Sequence, residues 1–197
     1  MSGRERTATG AVPQAEPPHG PHRARARSAY DRAVAACRYA GVGREAAEFV
    51  PRDPVGRVAN ALRLSAQSLA ALDTSAPNPA ADARCARNTA ATAALAAQVA
   101  AARDGGDTGS AWASTTASVT GSATDPATGS ATDEARDSAA AVPTASAAAL
   151  RAALVASQAA AVAAGGSARG QDAALNTAAE EAERHAVATA RAAGWLG

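Results

Sequence analysis

Lysine and isoleucine are missing from this 197-residue chain, which also holds only one phenylalanine, one methionine, two tyrosines and two tryptophans. Without lysine, catalysis through a Schiff base or a lysine nucleophile is excluded, the α-amino group apart. So few aromatic side chains leave no stacking platform of the kind single-stranded nucleic acids use. Two cysteines, Cys37 and Cys85, supply neither a disulfide framework nor a four-ligand zinc site. Both fall in predicted helices and are expected to be reduced, buried thiols. Charge of one sign is lacking too: 19 basic residues against 18 acidic give a formal charge of +1, which exerts no overall pull toward nucleic acid or an anionic membrane.

Long runs of bulky hydrocarbon are equally scarce. The stretch 145–164 is apolar only on a scale generous to alanine, is interrupted by Arg151, Ser157 and Gln158, and so does not read as a membrane span. Residues 1–20 contain Arg4, Arg6, Pro13, Pro17 and Pro18 with no apolar core of a secretory leader. The expectation is a soluble cytoplasmic protein without a membrane partner.

What fills the chain is alanine, 64 residues of it, against nine leucines and twelve valines. Alanine favours helix and lets helices approach closely, but buries little hydrocarbon. The composition therefore predicts an all-α, alanine-rich bundle of four or five helices with marginal stability, for which self-association or a partner helix is a natural remedy.

Breakers divide the chain. Residues 1–27, with several prolines and the alternating Arg23, Arg25 and Arg27, read as a disordered basic arm. Order is expected from Ser28, where Ser28 and Asp31 resemble a capping box, in a first helix over 28–40 that Gly41 ends. A further turn of helix is expected within 44–50. Asp53-Pro54 and Asn78-Pro79 are cap-plus-proline starts for helices over 54–73 and 79–104, the second stopped by Gly105-Gly106. Val55, Val58, Leu62, Ser65, Leu69 and Leu72 form one stripe on the former. Cys85, Asn88, Thr92, Leu95, Val99 and Ala102 form the stripe expected on the latter. These two helices are expected to make an antiparallel hairpin that closes an N-terminal segment over 28–106.

Residues 107–142 lose all periodicity and contain an eight-residue echo, GSATDPAT at 121–128 and GSATDEAR at 129–136. They read as a disordered Ser/Thr/Asp/Gly-rich linker. Beyond it, 143–197 is a second hairpin with helices over 144–164 and 168–193, their apolar faces traced by Leu150, Leu154, Val155 and Val162 and by Leu175, Ala182, Ala186 and Thr189. A shift of 88 residues superposes Leu62-Arg63 on Leu150-Arg151, Asn88-Thr89 on Asn176-Thr177, and Val99, Arg103 and Gly106 on Val187, Arg191 and Gly194. Read as duplication, this predicts a pseudo-symmetric core of two hairpins with the first helix as an addition.

No constellation of catalytic residues emerges. Glu180, Glu181, Glu183 and His185 lack the Glu-x-x-His spacing of a di-iron bundle and read as a solvated charged face. His19 and His22 are two ligands on an arm, too few for a metal site. No metal, cofactor or catalytic residue is assigned. Asn60, Asn88 and Asn176, in or near apolar stripes, with His185, are read as a polar seam that sets helix register or lines a small pocket between the hairpins. Arg23, Arg25 and Arg27 are possible phosphate contacts; three of them give only weak, salt-sensitive association, which disfavours nucleic acid as a partner. The leading expectation is a non-enzymatic interaction, scaffold or regulatory protein that pairs with itself or with a partner helix. A small-molecule-binding bundle, regulatory or weakly enzymatic, is the alternative, and weak nucleic-acid association through the arm a third.

Overall fold

The computed structural model describes residues 20–48, 50–105, 144–165 and 169–197, and among them every regular element is helical. Five α-helices follow in order: α1 (Pro21–Ala40), α2 (Pro54–Thr74), α3 (Pro79–Asp104), α4 (Ala145–Ala164) and α5 (Ala173–Ala192), with a 3-10 turn at Arg44–Ala46 between α1 and α2. The chain is an all-α bundle. Residues 1–19 of the expected arm and the whole of the expected linker over 107–142 lie outside the described residues.

The helix starts obey the capping chemistry. Asp53 accepts a hydrogen bond from the Gly56 amide at 2.7 Å, and Asn78 from the Ala81 amide at 3.1 Å; a proline follows each, where the missing N–H costs nothing. Thr144 and Asp172 cap α4 and α5 in the same way. Two helices end alike. Gly41 and Gly194 both take φ of 74°, and the next residue's amide reaches back five positions, Val42 to the Cys37 carbonyl at 2.8 Å and Trp195 to the Ala190 carbonyl at 3.0 Å. This stop turns the following apolar side chain back onto the helix it ends, and Val42 and Trp195 both join the main core.

α1 begins at Pro21, seven residues before the expected start at Ser28. The pull comes from tertiary structure: His22, Arg23 and Arg25 of the supposed arm are buried in the bundle. Ser28 caps nothing; it sits within α1 and its hydroxyl donates to Glu183 at 3.0 Å.

Ion pairs and hydrogen bonds define the helix directions. Arg23 meets Asp82 and Tyr39 meets Asp104, so α1 and α3 run parallel. Arg25 meets Asn176 and Tyr39 lies against Trp195, so α1 and α5 run parallel as well. Ser146 donates to Asp104, which sets α4 antiparallel to α3. α1, α3, α4 and α5 thereby close a ring, each against the next, while α2 packs outside it on α1 and α3. Both predicted hairpins form, α2 with α3 and α4 with α5; the pseudo-symmetry predicted from the 88-residue shift is corrected, because α2 and α4 would be equivalent, yet α4 is a member of the ring and α2 flanks it. The first helix is no addition, since it touches three of the other four.

The interior of the ring is methyl groups. In α3, Ala86, Ala90, Ala93, Ala97 and Ala100 are buried whereas Leu95 is exposed; in α4, Ala149, Ala153, Ala156, Ala160 and Ala163 are buried whereas Val155 and Val162 are exposed. Of the stripe expected on α3, Cys85 and Thr92 are buried and Val99 is half-buried, whereas Asn88, Leu95 and Ala102 lie outside; of that expected on α4, Leu150 and Leu154 are half-buried and only Val155 and Val162 are exposed. Alanine against alanine brings helix axes toward the short end of the usual range, about 8 Å, and a branched chain has no room at such a seam. On α2 the expected stripe does hold: Val58, Ser65, Leu69 and Leu72 are buried and Leu62 is half-buried, with only Val55 outside. By length and composition α4 is apolar enough to cross a membrane, but its small inner face packs against α3 and α5.

Candidate functional site

Two features stand apart from the methyl-lined ring: a polar layer around the first half of α1, and a cavity on the α2 side of its second half.

The polar layer is built from charges that helix propensity alone does not bury. Arg32 grips Glu183 of α5 with two hydrogen bonds, Nη2 to Oε2 at 2.8 Å and Nε to Oε1 at 3.3 Å, and both side chains are over nine-tenths buried. Arg23 pairs with Asp82 of α3 at 3.2 Å and donates to the Ser75 carbonyl. Arg25 has no carboxylate; its Nη atoms reach the Asn176 carbonyl at 2.7 Å, the Asn176 side-chain oxygen at 2.9 Å and His22 Nδ1 at 2.6 Å. Because guanidinium only donates, His22 accepts at Nδ1, and its Nε2–H donates to the Gly170 carbonyl at 2.6 Å. Burial lowers the pKa of His22, and Arg25 lowers it further. Burial also lowers that of Arg25. Gly170, at φ 79°, is pressed so closely that a Cβ there would lie 2.6 Å from Ala83 Cβ and 2.9 Å from His22 Nε2. This layer fastens the amino-terminal ends of α1, α3 and α5.

The cavity, about 440 Å³, lies between α1, the turn after it and α2. Its body is Tyr30, Val34, Cys37, Val42, Leu62 and Ala66, and Arg38, Arg44, Arg63 and Gln67 stand around it. The three guanidiniums are exposed, and among the described residues none of them forms a salt bridge. Burial pushes the Cys37 thiol up to about 11, so at neutral pH it is an uncharged, weakly nucleophilic part of the wall. Burial also raises Cys85, followed by the charges of Asp82 and Asp73. At the far end of the bundle Tyr39 donates to Asp104 at 2.6 Å, which raises the phenol, and hydrogen bonds from Ser146 and Tyr39 hold the Asp104 carboxyl below its ordinary value.

The predicted polar seam does not assemble. Asn88 and His185 are exposed, and Asn60 only accepts from Arg63 on its own helix at 2.7 Å. Asn176 alone enters a buried network. The cavity between α1 and α2 is lined by none of Asn88, Asn176 and His185. Arg23 and Arg25 are not free for phosphates, being buried, and Arg27 spends its guanidinium on Asp73 at 2.9 Å. Glu183, read as part of a solvated face, is the buried partner of Arg32. Sequence reasoning also passed over Trp195, the largest side chain of the main core, although its place directly after the Gly194 stop is where a helix-ending apolar contact belongs. Among the described residues no group of three or more His, Cys, Asp or Glu is disposed to hold a metal ion.

Compared with family models, with curated proteins and with solved structures, the chain matches none.

Proposed function

We propose that this protein is a non-catalytic helical binding protein of scaffold or regulatory type, holding a small apolar molecule in the cavity between α1 and α2. The observation that carries this reading is the cavity itself. At about 440 Å³ it falls in the size range of small-molecule sites, and an apolar body with a few polar groups at its edge is their usual chemistry. The thiol in its wall, Cys37, is held uncharged, which argues for binding rather than thiolate chemistry.

A thermal-shift series with small apolar compounds tests the proposal. A ligand present at a hundred times its Kd adds about 2.7 kcal/mol to the folded state, or roughly 5–10 °C in a chain of this length. Filling the cavity with Ala66→Phe should abolish the shift. If no apolar compound raises the melting temperature, or if the filled variant responds as the parent does, the cavity is not a binding site.

A second reading rests on α4. Val155 and Val162, seven residues apart, are 52% and 58% exposed and share an outward face with Arg151 and Gln158. That face suits a partner helix or a second copy of this chain. Size-exclusion chromatography with light scattering should then show a species heavier than 19.2 kDa that Val155→Gln with Val162→Gln dissociates; a monomer at all concentrations removes self-association.

A further inference from the structure

The geometry points to a single-chain amphiphile with an anionic head, of which a medium-chain carboxylate is the simplest member, as the ligand of the α1/α2 cavity. This rests on the cavity being a binding site, and adds the chemistry of what it binds. The apolar wall of Tyr30, Val34, Cys37, Val42 and Leu62 faces Arg38, Arg44 and Arg63 at the edge, and no carboxylate lines the cavity. Two acids stand nearby: the Glu45 side chain folds against Gly43, and Asp31 lines, with Val34 and Arg38, the depression that adjoins the cavity. Three guanidiniums against two carboxylates, neither of which lines the cavity itself, leave the mouth cationic.

The Arg27 and Arg32 guanidiniums of the same helix show the contrast. Each meets a carboxylate of another helix, Asp73 and Glu183, whereas Arg38, one turn or more further along, meets none among the described residues. Arginine presents a planar fork that fits a carboxylate through two parallel hydrogen bonds. Beneath that fork the wall is mostly hydrocarbon, with an uncharged thiol, the Tyr30 ring and the Gln67 amide beside it, so head and tail are both provided for. A cavity of about 440 Å³ suits a chain of about eight to twelve carbons. An apolar molecule without a charge would leave the cationic mouth unused, and a cationic one would be repelled by it.

Calorimetric titration of the full chain with decanoate, 1-decanol and decylamine, each below its micelle-forming concentration, tests the assignment. Decanoate should bind about tenfold more tightly than decanol, the preference shrinking at high salt, and decylamine should bind more weakly than either. In the variant carrying Arg38→Gln, Arg44→Gln and Arg63→Gln the preference for decanoate should vanish while decanol binds as before; Glu45→Gln should strengthen decanoate binding. These three substitutions are exposed, and unchanged melting of the variant shows that its fold is intact. Equal binding of decanol and decanoate would overturn the anionic assignment while leaving the cavity a binding site. Binding of none of the three probes would remove both. Sedimentation with vesicles of phosphatidylcholine and phosphatidylglycerol separates a free ligand from a membrane surface: vesicle binding that persists when Ala66→Phe fills the cavity would give the arginines to a surface role and overturn the proposal.

Discussion

The two flanks of α1 are built on opposite principles. Toward α3 it presents Ala29, Ala33 and Ala36, all at most 1% exposed, against a facing helix whose buried positions are mostly alanine, with Asp82, Cys85, Thr89 and Thr92 among them. Toward α2 it presents Tyr30, Val34 and Arg38, and meets Leu62 and Arg63 across a cavity of about 440 Å³. Methyl groups fit one another with little choice of rotamer, so small side chains give a dry, close seam. Large, branched and long side chains hold two helices apart and fill the gap only where their shapes interlock. A chain poor in hydrocarbon thus makes its tightest contacts with its smallest side chains and keeps open space where its larger ones gather.

The polar contacts of α1 divide in the same way. Arg32–Glu183 is buried, at 3% and 9% side-chain exposure, while Arg27–Asp73 lies at 57% and 44%. Removing one partner of the buried pair strands a charge, so Glu183→Ala should cost about 3–5 kcal/mol. Asp73→Ala, its counterpart in water, should cost less than about 1 kcal/mol because solvent screens the pair. Urea denaturation of the two variants checks this, and equal losses would erase the distinction between the flanks.

Packing gives the next effect. Ala33→Leu, in the alanine seam, should destabilise by about 2–3 kcal/mol through overpacking. Ala66→Leu, which projects into the cavity wall, should change stability by less than about 1 kcal/mol in either direction. Should the first be tolerated as readily as the second, the seam is looser than its burial indicates.

The smallest effect is a pH dependence. His22 has its pKa lowered from 6.5 by burial, so the unfolded chain takes up the proton first as the solution is acidified. Its contribution to stability is complete above about pH 6.5 and is lost as the pH falls toward the depressed folded value, with a slope of at most about 1.4 kcal/mol per pH unit. Melting temperatures measured between pH 7.5 and 5.5 should fall for the parent, and His22→Gln, which has no proton to gain, should flatten that part of the profile relative to it. A parallel fall in both would assign the acid sensitivity to other groups.

How far the fold was legible depends on which interaction set each part. Asp53-Pro54, Asn78-Pro79 and Gly41 act on their own neighbours, and the helix boundaries they predict are those observed within a residue. The α2 stripe was legible because its buried residues are the large ones. In α3 and α4 that signal weakens: Val99, Leu150 and Leu154 only flank an interior lined mostly by alanine, while Leu95, Val155 and Val162 lie outside, so a pattern search drawn to size mixes the two faces. The same limit hid the sites. His22 and Glu183 look like solvent residues until Gly170 and Arg32, both about 150 positions away, take up their polar atoms, and separation along the chain carries no trace of that pairing.

Composition and local punctuation by themselves determined that this protein is helical, where most of its helices begin and end, and that it has no lysine chemistry, since propensity and capping act within a turn of their residues. Tertiary structure alone decided that α1 reaches back to Pro21, that α1, α3, α4 and α5 close the ring with α2 outside it, and that three arginines without a salt bridge among the described residues meet an apolar cavity. Those outcomes depend on which helices approach closely enough to exclude water, and that is settled by shape complementarity between distant segments, not by the order of residues within any one of them.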